Sequence, residues 1–218
     1  MPGPTGKAWP SPPELALRLL LGTLLALGLA RQFGHQTAHA LLPLIGGTLA
    51  WLDDHYRILA LNLGSEGADT VIRLRVALAR PLVVGGQVIL TDARGWGEVT
   101  TPVGHLLQPL LVLPAILLAW PAQRRREWPL RLTLIAPVAM LLVLLTMPFA
   151  LWASLWDLHA HIYEPGRFSP LLSWARLLNG GGRLLLGMLG AAAVVALASR
   201  IASGVAGLHR ERRDGADS

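Results

Sequence analysis

The sequence predicts an integral membrane protein, mainly α, with four transmembrane helices and a small antiparallel β insert on the outer side between helices 1 and 2. Three observations carry that prediction. Hydrophobic residues make up 53% of the 218 and charged residues only 15%, against roughly 25% charged in a soluble domain. The mean hydropathy is +0.49, and the apolar residues come in blocks bordered by short arginine-rich runs. One stretch between blocks turns instead to alternation of apolar and polar residues. These features exclude a disordered chain. The absence of cysteine excludes a disulfide scaffold, a thiol nucleophile and a thiolate metal site.

A spanning helix needs about 20 mostly apolar residues. Residues 15–30, 103–120, 132–151 and 184–206 approach that length, and Arg18 and Arg200 lie close enough to the ends of their blocks to snorkel. The remainder divides into a disordered, proline-rich cytoplasmic arm (1–14), a periplasmic interfacial segment plus β insert (31–102), a cytoplasmic arginine loop (121–131), a periplasmic loop (152–183) and a cytoplasmic tail (207–218). Orientation follows from arginine placement in short loops. Arg124, Arg125 and Arg126 mark one cytoplasmic loop, and Arg210, Arg212 and Arg213 mark the tail, so both termini are expected in the cytoplasm of a bacterial inner membrane. The loops assigned to the outer side balance their arginines with acidic residues. Tryptophans agree: Trp120 and Trp128 bracket the arginine loop, and Trp152, Trp156 and Trp174 lie in the outer loop, where an apolar ring with one polar group sits well at the interface. The formal charge of +6 is spent on this anchoring, so nucleic acid is not an expected partner; the bilayer and another membrane protein are.

Ala38–Leu52 is apolar but short, with Pro43, Gly46 and Gly47 inside it. Counting it as a span would put the arginine loop outside, so it reads as a broken helix on the outer membrane face or against the bundle. Ala38-His39-Ala40 resembles a small-x-small cleavage site but lies far beyond the first apolar block, which favours an uncleaved signal anchor. In the insert, Thr70–Ala79 places Ile72, Leu74, Val76 and Leu78 on one face and Arg73 and Arg75 on the other, as a half-buried strand does. Tyr56–Leu63 is its expected partner, with a turn at Gly64–Gly67, and Val88–Thr91 is a further short strand after Gly85-Gly86.

The sharpest polar cluster is Asp157, His159 and His161. In a strand the two histidines would point the same way, and with Asp157 or His105 they would offer a metal or acid/base site. The plain alternative is a solvated interfacial loop. His105 reads equally as part of a helix start, with Thr101 as N-cap and Pro102 in the first turn. Asn179–Gly182 precedes Arg183 without the spacing of a nucleotide loop, and Arg183 is expected to anchor a helix end or pair with Asp157 or Glu164. No cofactor is expected. The fourth block carries Gly187 and Ala191, and Ala192 and Ala196, each pair four residues apart. Small residues at that spacing let helix backbones approach closely in lipid, inside the bundle or against another subunit.

One signal helix, an outer β insert, the stretch Thr101–Ala122 with its Pro-Leu-rich second span, an arginine loop and two more spans together resemble the small exosortase-associated inner-membrane proteins of Gram-negative bacteria. The likeness covers most of the chain in layout and about 20 residues in motif. It implies an accessory role in surface-protein sorting, with no catalytic residues to carry over; exosortase chemistry itself needs a cysteine. The expected function is therefore a non-catalytic accessory or scaffold subunit. The alternatives are a membrane enzyme using His105, Asp157, His159 and His161, and a transporter subunit, for which no intramembrane ionisable pair or inverted repeat is visible.

Overall fold

The computed structural model describes residues 11–92, 95–122, 127–163, 166 and 168–214, with side chains as far as residue 203. The elements are α1 (Pro12–Leu52), β1 (Tyr56–Glu66), β2 (Asp69–Leu78), β3 (Leu82–Val84), β4 (Gln87–Ile89), β5 (Gly97–Pro102), α2 (Val103–Ala119), α3 (Glu127–Tyr163), α4 (Pro170–Leu177) and α5 (Arg183–Asp214). A π-helical turn, Leu178–Gly182, joins α4 to α5. Three helical runs are long and apolar enough to cross a membrane: α1, α3 and the stretch Pro170–Ser203; α2 is a shorter apolar helix of 17 residues. The protein is mainly α, with small antiparallel sheets at one end.

Close contacts set the helix directions. A Cβ on Gly22 would lie 2.9 Å from the Ala115 carbonyl oxygen, and one on Gly34 would lie 2.9 Å from Leu107, so α1 and α2 run antiparallel. Arg131, near the start of α3, donates to the Trp120 and Pro121 carbonyls at 2.8 and 3.2 Å, just past the end of α2. Leu142, farther along α3, packs with Leu113. Those two helices are therefore antiparallel too. A Cβ on Gly187 would meet Val112 at 2.9 Å, and one on Gly190 would meet Leu113 at 3.4 Å and Leu142 at 3.1 Å. Thus α5 runs alongside α2 in the same direction. The start of α1, the end of α2, the start of α3 and the far part of α5 share one end of the bundle; the sheet occupies the other.

Ala38–Leu52 is not a separate broken helix. It is the second half of α1, which at 41 residues is about 60 Å long. Pro43 and the glycines do not break it, because Ala38, Leu42, Ile45 and Leu49 bury one stripe against the sheet and α3. Gly46 lies where a Cβ would come within 3.2 Å of Leu61, so here the missing side chain serves packing. Likewise α3 continues through Trp152–Tyr163, where a loop is expected.

The main sheet has the order β1-β2-β5, all antiparallel. The β1–β2 turn sits at Gly67-Ala68 rather than at Gly64–Gly67, and Gly67 takes φ +60°, a conformation that favours glycine. Strand β2 buries Ile72, Leu74 and Val76 and leaves Arg75 exposed, as its alternation requires. Strands β3 and β4 form a separate hairpin over Gly85-Gly86, both at positive φ. Thr101 lies buried in β5 instead of capping α2; Pro102 is the capping residue.

Candidate functional site

The alternative metal cluster of Asp157, His159 and His161 does not come together on one face. Asp157, His159 and His161 lie on α3, where residues two apart diverge by about 200°. Asp157 and His161 are exposed, whereas His159 turns inward. His105 sits half-buried at the start of α2, near enough to Arg183 to feel its charge, and has no part in the His159 environment. Arg183 does not pair with Asp157, and Glu164 lies outside the described residues. Arg183 is buried and donates to Asn179 Oδ1 at 2.8 Å and to the Leu178 carbonyl at 3.3 Å. Gly181, at φ +107°, makes the kink that brings those acceptors round.

What His159 does instead is fasten α3 to the sheet. Its Nδ1 lies 3.0 Å from the Leu155 carbonyl and 3.3 Å from the Tyr56 hydroxyl. A proton on Nδ1 is donated to the carbonyl, and the tyrosine oxygen accepts the longer branch. A second fastening lies beside it. Trp152 Nε1 donates to Asp53 Oδ2 at 2.9 Å, and Asp53 Oδ1 accepts from the backbone N–H of His55 at 2.9 Å. Asp53, Asp54 and His55 are close enough together to suggest a cation site. Asp53 is already committed to Trp152 and His55, however, and Asp54 pairs with Arg80. The group is a joint between α1, β1 and α3.

These fastenings hold one wall of an open cleft of about 420 Å³ between the sheet, the chain leading into β5, and the distal turns of α3. Leu78, Ile89, Leu90, Leu155, Leu158 and Ile162 give apolar walls; Trp96 and Tyr163 add aromatic ones. The Trp96 ring is held by the Arg75 guanidinium 5.1 Å from its centroid. Arg75 in turn pairs with Glu98, its register partner across the sheet, and the Glu98 carboxylate also lies in ion-pair range of the Arg73 guanidinium, at 3.1 Å. The polar side-chain groups of the cleft are few: the Tyr56–His159 pair, Asp92, the Tyr163 hydroxyl and the Trp96 indole N–H. Burial, then the nearby Asp53 carboxylate, push the Tyr56 hydroxyl up to about 12. It stays neutral at physiological pH and offers no oxyanion. The cleft suits an apolar segment better than a charged reactant.

The small residues of α5 divide by face. Gly187 and Ala191 lie inward, with Val194 and Ala198 continuing that face, while Ala192 and Ala196 are exposed and point away from the bundle. Of the topology anchors, Arg124, Arg125 and Arg126 lie outside the described residues, and for Arg210, Arg212 and Arg213 only the helical backbone of α5 is described. Sequence reasoning missed Asp53, Tyr56, Trp96 and Trp152. The one available signal was Asp53-Asp54-His55 at the end of an apolar run, a place where polar groups gather for a reason. No protein-family model, no curated protein and no solved structure matches the chain.

Proposed function

We propose that the chain is a non-catalytic accessory or scaffold subunit of a bacterial inner-membrane system, and that it holds a partner at the cleft beside the distal end of α3. The observation that carries this reading is the cleft's rim. Leu90, Ile162 and Trp96 remain 71%, 70% and 59% exposed, although they surround a concave apolar site fastened by half-buried polar contacts. Clustered apolar exposure of this kind marks a binding surface. The tie to exosortase-linked surface-protein sorting rests on the layout resemblance alone. In the same reading the protein spans the membrane four times, with α2 as the second span, the sheet in the periplasm and both termini in the cytoplasm. The alternating helix directions and the arginine runs support that arrangement.

A photo-crosslinking residue at Leu90, Trp96 or Ile162, followed by mild detergent extraction and mass spectrometry, tests the binding role. A discrete cross-linked protein from all three positions, absent with the same residue at Leu24, is the expected result. Cross-links to lipid alone would overturn it. Reporters after Arg126 and Arg213 should read cytoplasmic, and reporters in Gly64–Gly67 or Glu164–Phe168 periplasmic. A periplasmic signal after Arg126 would remove the four-span arrangement.

A further inference from the structure

We infer that Arg183, His105 and Gln108, at the starts of α5 and α2, form a binding site for a phosphate-type oxyanion, carried by a lipid headgroup or by a soluble phosphate. The site is separate from the cleft and does not rest on the cleft's role. Arg183 is 2% exposed, yet no carboxylate among the described residues pairs with it. The other buried arginine, Arg131, has Glu127 at 3.2 Å. The two acceptors of Arg183, the Leu178 carbonyl and Asn179 Oδ1, are neutral, and Nη1 serves both. Nε is buried without an acceptor, and Nη2 makes no hydrogen bond among the described residues. Nε and Nη2 form one edge of the guanidinium. Their N–H bonds run parallel there, as the fork that takes two oxygens of a single anion. A guanidinium stays charged at physiological pH, and a buried charge without a counter-ion is strongly unfavourable. The free edge therefore calls for an anion.

Helix register brings further donors to the same place. Helices α2 and α5 run side by side in one direction, with Gly187 against the Pro109 carbonyl and Val112. One turn earlier on each helix, Arg183 comes level with His105 and Gln108. His105 feels the Arg183 charge, as that register requires. Residues three apart share a helix face, so the imidazole and the amide border one space. Both are half-buried, and neither makes a hydrogen bond among the described residues. Gly104 and Leu184, the chain neighbours of His105 and Arg183, line a common opening with Gln108. A Cβ on Gly104 would meet nothing within 4 Å, which leaves a way in. A carboxylate has two oxygens, enough for the arginine edge alone. A phosphate has more oxygens and more charge, and accepts from His105 and Gln108 as well.

The test uses the full-length protein, delipidated in mild detergent, with inorganic phosphate, phosphatidylglycerol and a diacylglycerol of the same chains as probes. Native mass spectrometry reads the lipids and thermal melting reads the phosphate. If a headgroup is the source, wild type binds phosphatidylglycerol about tenfold more tightly than diacylglycerol, the scale of a hydrogen bond to a charged group. If a soluble phosphate is the source, millimolar phosphate raises the melting temperature and equal chloride does not. Either result supports the site. His105→Ala and Gln108→Leu leave the bonds of Arg183 to Leu178 and Asn179 in place. Each should keep its ligand-free melting temperature and weaken binding about fivefold or more. Arg183→Lys keeps the charge, loses the fork and should weaken binding about tenfold. Arg57→Gln, on an exposed position of β1, should bind as wild type. Binding of neither phosphate probe overturns the inference, as does a loss in Arg57→Gln equal to that in His105→Ala, which would mark unspecific charge attraction. Full coupling between Arg183→Lys and Glu164→Gln in the melting of phosphate-free protein would assign the arginine edge to a carboxylate of this chain and overturn it too.

Discussion

From Pro12 to Phe33, α1 buries only Gly22 and Ala26; from Gly34 to Leu52 it buries Gly34, Ala38, Leu42, Ile45 and Leu49. The first half is leucine-rich on every side, with Leu17, Leu20, Leu21, Leu24 and Leu25 all more than half exposed. The second half shows one apolar stripe at a spacing of three and four residues. A single continuous helix is thus solvated by lipid along one half and by protein along the other. In the first half the helix contributes to packing only where glycine or alanine lets a backbone approach. In the second, large side chains interlock with the sheet and α3, and polar groups at the end of the helix fix the geometry. The difference teaches where substitutions should be felt.

The largest effect is expected in the second half. Ile45→Ala removes a side chain with no exposure and should cost about 2–5 kcal/mol. Leu24→Ala in the first half should change stability by less than about 0.5 kcal/mol. Melting in one detergent compares them, and equal losses would break the distinction between the halves.

Next in size is a pH effect confined to the sheet end. Tyr56 has its hydroxyl raised from 10.0 to about 12. A raised folded value means the folded state holds its proton more tightly. Stability from this source is complete below pH 10 and is lost as the pH climbs toward 12, by about 2–3 kcal/mol. Tyr56→Phe should flatten that part of the profile. An unchanged profile in the variant would assign the alkaline loss to other groups.

Gly187→Leu sharpens the comparison at the lipid-solvated end. Its Cβ meets Val112 at 2.9 Å and the Pro109 carbonyl at 3.3 Å, and the overpacking should cost about 1–3 kcal/mol. Ala192→Leu, on the exposed face of α5, should be nearly neutral. Similar melting of both variants would mean that α5 is held by something other than its small-residue face. Among the contacts tested, the smallest loss is expected from Trp152→Phe, which leaves Asp53 Oδ2 without its donor and should cost about 1–2 kcal/mol. Asp53→Asn combined with Trp152→Phe should cost little more than Trp152→Phe alone if the two residues act as one contact.

The apolar blocks, the arginine runs and the alternation of β2 were legible because each is a local pattern with a direct physical cause. A helix in lipid needs a length of apolar residues, and a half-buried strand needs a period of two. Residues such as Ile72 and Leu74 carry that signal in the chain itself. Hydrophobic spacing likewise made Gly187 and Ala191 visible as close-packing positions. It left the outward-facing Ala192 and Ala196 indistinguishable from them, since a small residue looks the same on either face.

Helix ends and the cleft depended on contacts between distant parts of the chain. Pro43, Gly46 and Gly47 read as breakers by propensity, yet the burial of Leu42, Ile45 and Leu49 carries α1 through them. The same kind of support, from Tyr56 and Asp53, extends α3 and turns His159 away from His161. Spacing along the sequence could name the histidines but could not choose between strand and helix, and that choice decides whether they converge. The sequence by itself determined which residues seek lipid and which alternate across a strand, because solvation acts on each residue where it stands. Only the tertiary structure decided where helices stop, which small residues face inward and which polar groups meet, because those outcomes depend on partners as far away as Trp152 is from Asp53.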